Sequence, residues 1–196
     1  VQAMGASVLN NVYDNTEWHT WQTRLLFGVR YTLGDKPPLD DSIERFSGES
    51  GIKLYENPAA FPRAWAVHEL IPIKTKGDGM TIISSRLDEL RTKAFAKEEI
   101  PALTKCGAAD EVSILSYLPE DVTIRANMAC QGMVVLSDAV FPGWKATVDH
   151  KPAQIYEVDG ALRGVLVQQG SHHLAFHSRP KSVYLGAAVT LLGLTG

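Results

Sequence analysis

The residues able to do chemistry in this chain are few and widely spaced. Its two cysteines, Cys106 and Cys130, have no zinc-site spacing around them. Two readings are open for the pair: buried thiols acting as small apolar side chains, or a disulfide of the kind an oxidising compartment allows. Hairpin geometry bears on the choice. If Leu118 faces Val122 across the turn at 119–121, Cys106 and Cys130 fall near one another but a few positions out of register. A bulge would bring them together. His172, His173 and His177 invite a metal reading. In a strand, His173 and His177 share a face about 13 Å apart while His172 faces away, so these three cannot hold one ion. His19, between Trp18 and Trp21, reads as a packed side chain.

Carboxylates offer no better constellation. Asp40 and Asp41 sit in a loop, and Asp138, Asp149 and Asp159 sit at strand ends, where turn chemistry accounts for them. A glycosidase needs two carboxylates converging on one cleft, and no spacing here suggests such a pair. Serine-hydrolase, phosphate-loop and dinucleotide motifs are absent. No catalytic residue, metal ligand or cofactor is therefore assigned. Three residues are candidate substrate contacts: Arg63, Trp144 and Arg163. The arginines interrupt apolar strands, and an inward arginine needs a partner. That partner is either a core or edge carboxylate, or a phosphate or sugar of a substrate. Trp144 either fills the core in phase with Ala146 and Val148, or offers its ring as a stacking platform for a sugar.

The elements that must position these residues are mostly strands. Spacing predicts a helix over 17–27, a strand over 29–32, a loop over 34–42, a strand over 52–56 and a longer strand over 64–73. Residues 74–80 (KTKGDGM) read as a loop. Leu87, Leu90, Ala94 and Phe95 recur at helical intervals after a cap at Ser84 or Ser85. From Asp110 the period is two. Val112, Ile114 and Leu118 are answered by Val122, Ile124, Ala126 and Met128. Residues 133–137 are continuously apolar, as in a strand buried on both faces. Turns follow at 149–152, at Asp159-Gly160 and at 168–171. The pattern predicts a mainly β fold with minor helices. Its centre is an antiparallel sandwich, immunoglobulin-like or jelly-roll-like, over 106–182, with a smaller α/β layer over 1–105.

Composition is that of an ordinary globular chain, with a net charge of -3. Lysines and arginines are dispersed, which argues against nucleic acid as a partner and against a polybasic membrane patch. The uncharged run over 183–196 directly follows Arg179-Pro180-Lys181. It is shorter than the roughly 20 residues that span a bilayer, and reads as the first turns of a truncated membrane helix.

Several motifs carry a family resemblance. They are Phe27-Gly28-Val29-Arg30-Tyr31, Leu54-Tyr55-Glu56-Asn57-Pro58, Phe61-Pro62-Arg63-Ala64, the run from Phe141 to Pro152, Ala161 to Val167, and Gly170-Ser171-His172-His173. In this order they resemble the C-terminal region of the bacterial YfhO family of membrane proteins. One departure is His150, where the family pattern has Gly in the turn. The resemblance implies a GT-C-type glycosyltransferase with many membrane helices and a lipid-linked sugar donor. It implies that the catalytic carboxylate lies in an early extracytoplasmic loop, which this chain does not contain. The expected role is thus an extracytoplasmic accessory domain at the cell membrane that helps place substrate. Its partners would be the membrane-embedded remainder of the same chain and a lipid-linked sugar or cell-envelope glycan. A stand-alone carbohydrate-binding module and a purely structural or partner-binding sandwich are the competing readings. The first of these predicts an aromatic strip, from Trp144, Tyr156 or Tyr184, exposed on one sheet.

Overall fold

Hydrophobic alternation from Glu111 onward generates the largest part of the structure, a computed structural model that describes residues 20–179 together with Gly186, Thr190 and Gly193. Two compact units emerge. One comprises Val1–Arg63 with Thr75–Glu89, and the other comprises Ala64–Lys74 with Leu90–Gly196.

The second unit is mainly β. Strands β4 (Ala64–Val67), β9 (Gly132–Ala139), β12 (Tyr156–Val158) and β13 (Leu162–Val167) form one antiparallel sheet in the order β12-β13-β9-β4. Strands β7 (Glu111–Leu118), β8 (Asp121–Met128), β10 (Trp144–Val148), β11 (Lys151–Ala153) and β14 (Gly170–Ser178) form a second in the order β11-β10-β14-β8-β7. The core takes Val134, Leu136 and Val165 from the first sheet and Val122, Ile124, Leu174 and Phe176 from the second. Those residues are spaced two apart along each strand, so one face of each sheet is dry and the expected antiparallel sandwich results. Residues 132–137 are all buried, as their unbroken apolar run requires. Burying each such Val, Leu or Ile contributes about 1.5–3 kcal/mol.

Strand β4 brings residues 64–67 into this sandwich by pairing with β9, although they come from the expected α/β layer. The single strand expected over 64–73 is in fact two, broken at His68. Beyond the break, β5 (Glu69–Pro72) leaves the sandwich and pairs in parallel with β6 (Lys93–Ala96). Ala94 and Phe95 therefore lie in a strand, which corrects the helix expected from their spacing. Phe95 is buried and held at both backbone groups: its N–H donates to Asp159 Oδ1 at 2.8 Å and its carbonyl accepts from Asp159 N–H at 2.9 Å.

In the first unit, helix α1 (Trp21–Leu26) begins at Thr20, whose side chain accepts from Thr23 N–H. Residues 17–19 of the expected helix, with Trp18 and His19, lie outside the described residues. The helix ends at Gly28, with φ +75, where Gly28 N–H reaches Leu25 O and Val29 N–H reaches Arg24 O. That pairing is the Schellman closure. A Cβ at Gly28 would meet Phe61 O at 3.3 Å, so close approach of the chain also selects glycine. Strands β1 (Tyr31–Gly34), β2 (Ile43–Ser47) and β3 (Lys53–Glu56) form a small sheet in the order β1-β3-β2. The segment expected as a loop over 74–80 contains the start of α2 (Lys76–Arg86). Thr75 and Asp78 exchange side-chain and backbone hydrogen bonds as a capping box, and this outweighs the two glycines. A 3-10 turn over Leu87–Arg91 follows α2.

Among the described residues no helix is long and apolar enough to cross a membrane. The apolar run over 183–196 lies outside the described residues except at Gly186, Thr190 and Gly193, which have helical backbone.

Candidate functional site

Trp144 and Arg163, separate in sequence, meet at one end of the sandwich. Arg163 enters from β13 beside a bulge between Leu162 and Arg163, and Trp144 opens β10 in the other sheet. The guanidinium carbon of Arg163 lies 3.7 Å from the centroid of the Trp144 ring. A stack this close is worth about 2 kcal/mol when desolvated. Arg163 Nε donates to Ala139 O at 3.0 Å, and its Nη1 stands 3.7 Å from Asp138 Oδ2. Arg163 is only 4% exposed, so its charge is committed to the protein rather than presented to a ligand. Trp144 is half-buried against the core. Both fulfil the structural alternative of the sequence reading.

What faces solvent at this end are neighbours that sequence reasoning passed over. Asp138 Oδ1 accepts from Tyr117 Oη at 2.6 Å, so one carboxylate ties β7 to β9 and is also held by Arg163. Tyr117 is 47% exposed and Phe141, three residues before Trp144, is 70% exposed. An exposed aromatic side chain, Tyr117, thus holds an oriented carboxylate, and a second, Phe141, follows three residues after it in the chain. The bulge in β7 pairs Tyr117 with the core residue Val122, so Tyr117 leaves the outward face that simple alternation gives it and reaches Asp138 of the other sheet. Asp138 had been explained by turn chemistry alone. Such a rim offers apolar contact to one face of a ligand and a hydrogen-bond acceptor to its hydroxyls. Beside it, Leu115 and Leu118 are also exposed.

Arg63 belongs to the first unit. Its Nη1 donates to Phe27 O at 3.3 Å, at the C-terminus of α1, where the helix dipole favours a cation. Around it, Phe61 N–H donates to Leu25 O, Asn57 N–H to Arg30 O, and Asn57 Nδ2 to Val29 O. The motifs Phe27–Tyr31 and Leu54–Ala64 are therefore two sides of one hydrogen-bonded junction. Glu56 braces it further through Arg30 and Arg45, whose hydrogen bonds hold its carboxyl below the usual carboxylate range.

Cys106 and Cys130 form a disulfide with a Cα separation of 6.3 Å. The sequence register comes close because β7 carries a bulge between Ile114 and Ser116. His68 and Asp110 stand beside the disulfide: Nε2 of His68 is 2.6 Å from Asp110 Oδ2, and its Nδ1 is 3.5 Å from Cys130 Sγ. Neither residue was singled out from sequence, because 42 positions separate them.

The remaining histidines have separate partners. His172 Nδ1 lies 2.7 Å from Asp149 Oδ2, and His177 Nδ1 lies 2.7 Å from Asp121 Oδ2. Asp149 is held below its usual range by the His173 backbone N–H and then by His172, while Asp149 raises His172. His172 and Asp149 edge a concavity of about 410 Å³ with Lys151, Gln154, Tyr156 and Gln168. Tyr156 is 8% exposed, so it presents no ring face to solvent. Tyr184 lies outside the described residues. Comparison of the chain with protein-family models, curated proteins and solved structures gives no match.

Proposed function

We propose that the chain is an extracytoplasmic accessory region of a polytopic, glycosyltransferase-like membrane protein, and that it positions substrate without catalysing a reaction itself. The observation that carries this reading is the exposed Tyr117 bonded to Asp138, with the exposed Phe141 three residues further along the chain. Aromatic faces suit the C–H side of a pyranose, and a carboxylate accepts hydrogen bonds from its hydroxyls. Arg163 and Trp144 act as positioning residues, because they fix Asp138 from behind. The Cys106–Cys130 disulfide supports a location outside the reducing cytoplasm. The order of the YfhO-like motifs supplies the membrane and glycosyltransferase context.

The test is a nuclear magnetic resonance titration of the chain with hexoses, N-acetylhexosamines and their 1-phosphates. The reading expects shifts confined to Tyr117, Asp138 and Phe141, lost in Tyr117→Ala and Phe141→Ala. Saturable shifts confined to the Asp149–His172 concavity, or none with any sugar, would sink the assignment of this end as the contact surface.

A further inference from the structure

We propose that His68, Cys106 and Cys130 form a binding site for a thiophilic divalent metal ion such as zinc, open when the disulfide is reduced and closed when it is formed. The three side chains come from β4–β5, from the segment before β7 and from the β8–β9 turn, and all belong to the second unit. Their ligand atoms all lie within 4.8 Å of one another. Zinc bonds of about 2.0–2.1 Å to nitrogen and 2.3 Å to sulfur put tetrahedral N and S ligands about 3.5 Å apart. His68 Nδ1 and Cys130 Sγ already stand 3.5 Å apart. The sulfurs must separate to about 3.8 Å, which side-chain rotation across a 6.3 Å Cα separation permits. Water would complete a three-ligand site.

The surroundings of His68 give a second, independent reason. A metal-bound histidine characteristically donates its other ring N–H to a carboxylate, which fixes the tautomer and makes the ring a better ligand. Asp110 stands in that position at 2.6 Å from Nε2, and its other oxygen accepts Ala129 N–H at 2.8 Å. Metal binding sets the proton on Nε2, toward Asp110, so Nδ1 gives up its hydrogen bond to the Gln131 carbonyl oxygen at 3.1 Å and its lone pair becomes available beside the Cys130 sulfur. Electron-rich groups gathered around one point favour a cation there. The ring is also seated tightly. A Cβ at Gly132 would come within 2.7 Å of His68 Cε1, so the absence of a side chain on β9 makes the space the ring occupies.

The switch balances. A dithiol reductant transfers two electrons and two protons to the disulfide, leaving two thiols and becoming a disulfide itself. The metal ion then displaces the two thiol protons to solvent as it binds two thiolates and the neutral imidazole. In the reverse direction a disulfide oxidant accepts the two electrons of the two thiolates, takes up two protons from solvent and ends as a dithiol, which returns the sulfurs to each other and releases the ion. A groove of about 540 Å³, lined by His68, Leu70, Ile71, Leu103 and Lys105, opens beside the site and gives an ion a route to it.

The experiment uses the whole chain in oxidised and anaerobically reduced forms, titrated with cobalt(II) and then zinc(II). Reduced protein should take one cobalt per chain with the visible absorption of tetrahedral thiolate coordination, and zinc should displace it. Oxidised protein and Cys106→Ser/Cys130→Ser should bind at least 100-fold more weakly. His68→Ala should lose about as much, and Asp110→Asn should lose about 10–100-fold. Reduced protein that binds no better than the double serine variant would overturn the proposal, as would full affinity in His68→Ala. If reduction unfolds the chain, far-ultraviolet circular dichroism decides. Recovery of the fold with one equivalent of zinc supports the site, and a chain still unfolded with zinc refutes it.

Discussion

Asp159 offers a prediction whose size follows from its position. It occupies the β12–β13 turn with φ +50 and is 0% exposed. Its Oδ1 accepts from Phe95 N–H, while Oδ2 has no hydrogen-bond partner among the described residues. Burial pushes its carboxyl from 3.8 to about 8, with the Phe95 N–H opposing. A carboxyl with a raised folded-state pKa is stabilising while protonated in both states. That contribution is full below the unfolded value near 4, falls as pH rises, and is gone above about 8. Within this window each pH unit costs about 1.4 kcal/mol, so a rise from pH 5 to 7 removes up to about 2.7 kcal/mol. For a chain of this size that is roughly 5–10 °C in Tm. Asp159→Asn keeps the acceptor for Phe95 and tolerates the left-handed backbone, but cannot titrate. Its buried amide costs about 1–3 kcal/mol at every pH. His172, raised by Asp149, also loses stabilisation as pH rises, but equally in both proteins. Thermal denaturation followed by circular dichroism from pH 5 to 8 should therefore show wild-type Tm falling more steeply than that of Asp159→Asn. Parallel curves would refute the burial argument.

The other predictions concern single contacts. In the turn 149–152 His150 has φ +66, the backbone that the glycine of the YfhO-like pattern adopts freely; His150→Gly should raise the urea midpoint by about 1 kcal/mol of stability with m unchanged. Arg163→Met leaves the Asp138 charge without its cation, though still bonded to Tyr117, and should cost about 3 kcal/mol in urea denaturation, with Arg163→Met/Asp138→Asn recovering part of it. Cys106→Ser/Cys130→Ser opens a loop with a sequence separation of 24 and should lower stability by about 3.5 kcal/mol on the chain-entropy estimate.

The antiparallel hairpins were legible because alternation and turn chemistry agree from Glu111 onward. The alternation of β7 and β8 was readable but their register was not: Leu118 pairs with Asp121 rather than Val122, and the bulge between Ile114 and Ser116 shifts the pairing once more, which brings Cys106 and Cys130 closer to register. The error in the expected helix falls on Lys93–Ala96, which form β6. Leu87 and Leu90 lie in a 3-10 turn, but the parallel pairing of β6 with β5, 24 positions away (93 − 69), and the Asp159 clamp on Phe95, 64 positions away, put Ala94 and Phe95 in a strand. At 74–80 the glycines outweighed the Thr75–Asp78 capping box in the reading but not in the fold. Of the candidate site residues, Trp144 and Arg163 lie together, as a stack between the two sheets that their separate places in apolar strands did not foretell. Their partners Tyr117 and Asp138 were missed because a contact between two sheets leaves no periodic trace. His68 was hidden for a related cause: the strand break at which it sits follows from a change of sheet, which local sequence does not encode.

The proposed function requires the sandwich to stand outside the cytoplasm. Lys145 and Lys151 are both exposed and flank the β10–β11 turn. The direct measurement is labelling of these two lysines in spheroplasts of the native host with a membrane-impermeant amine reagent, read by peptide mass spectrometry. The account predicts full labelling before lysis, and labelling that appears only after lysis would contradict it.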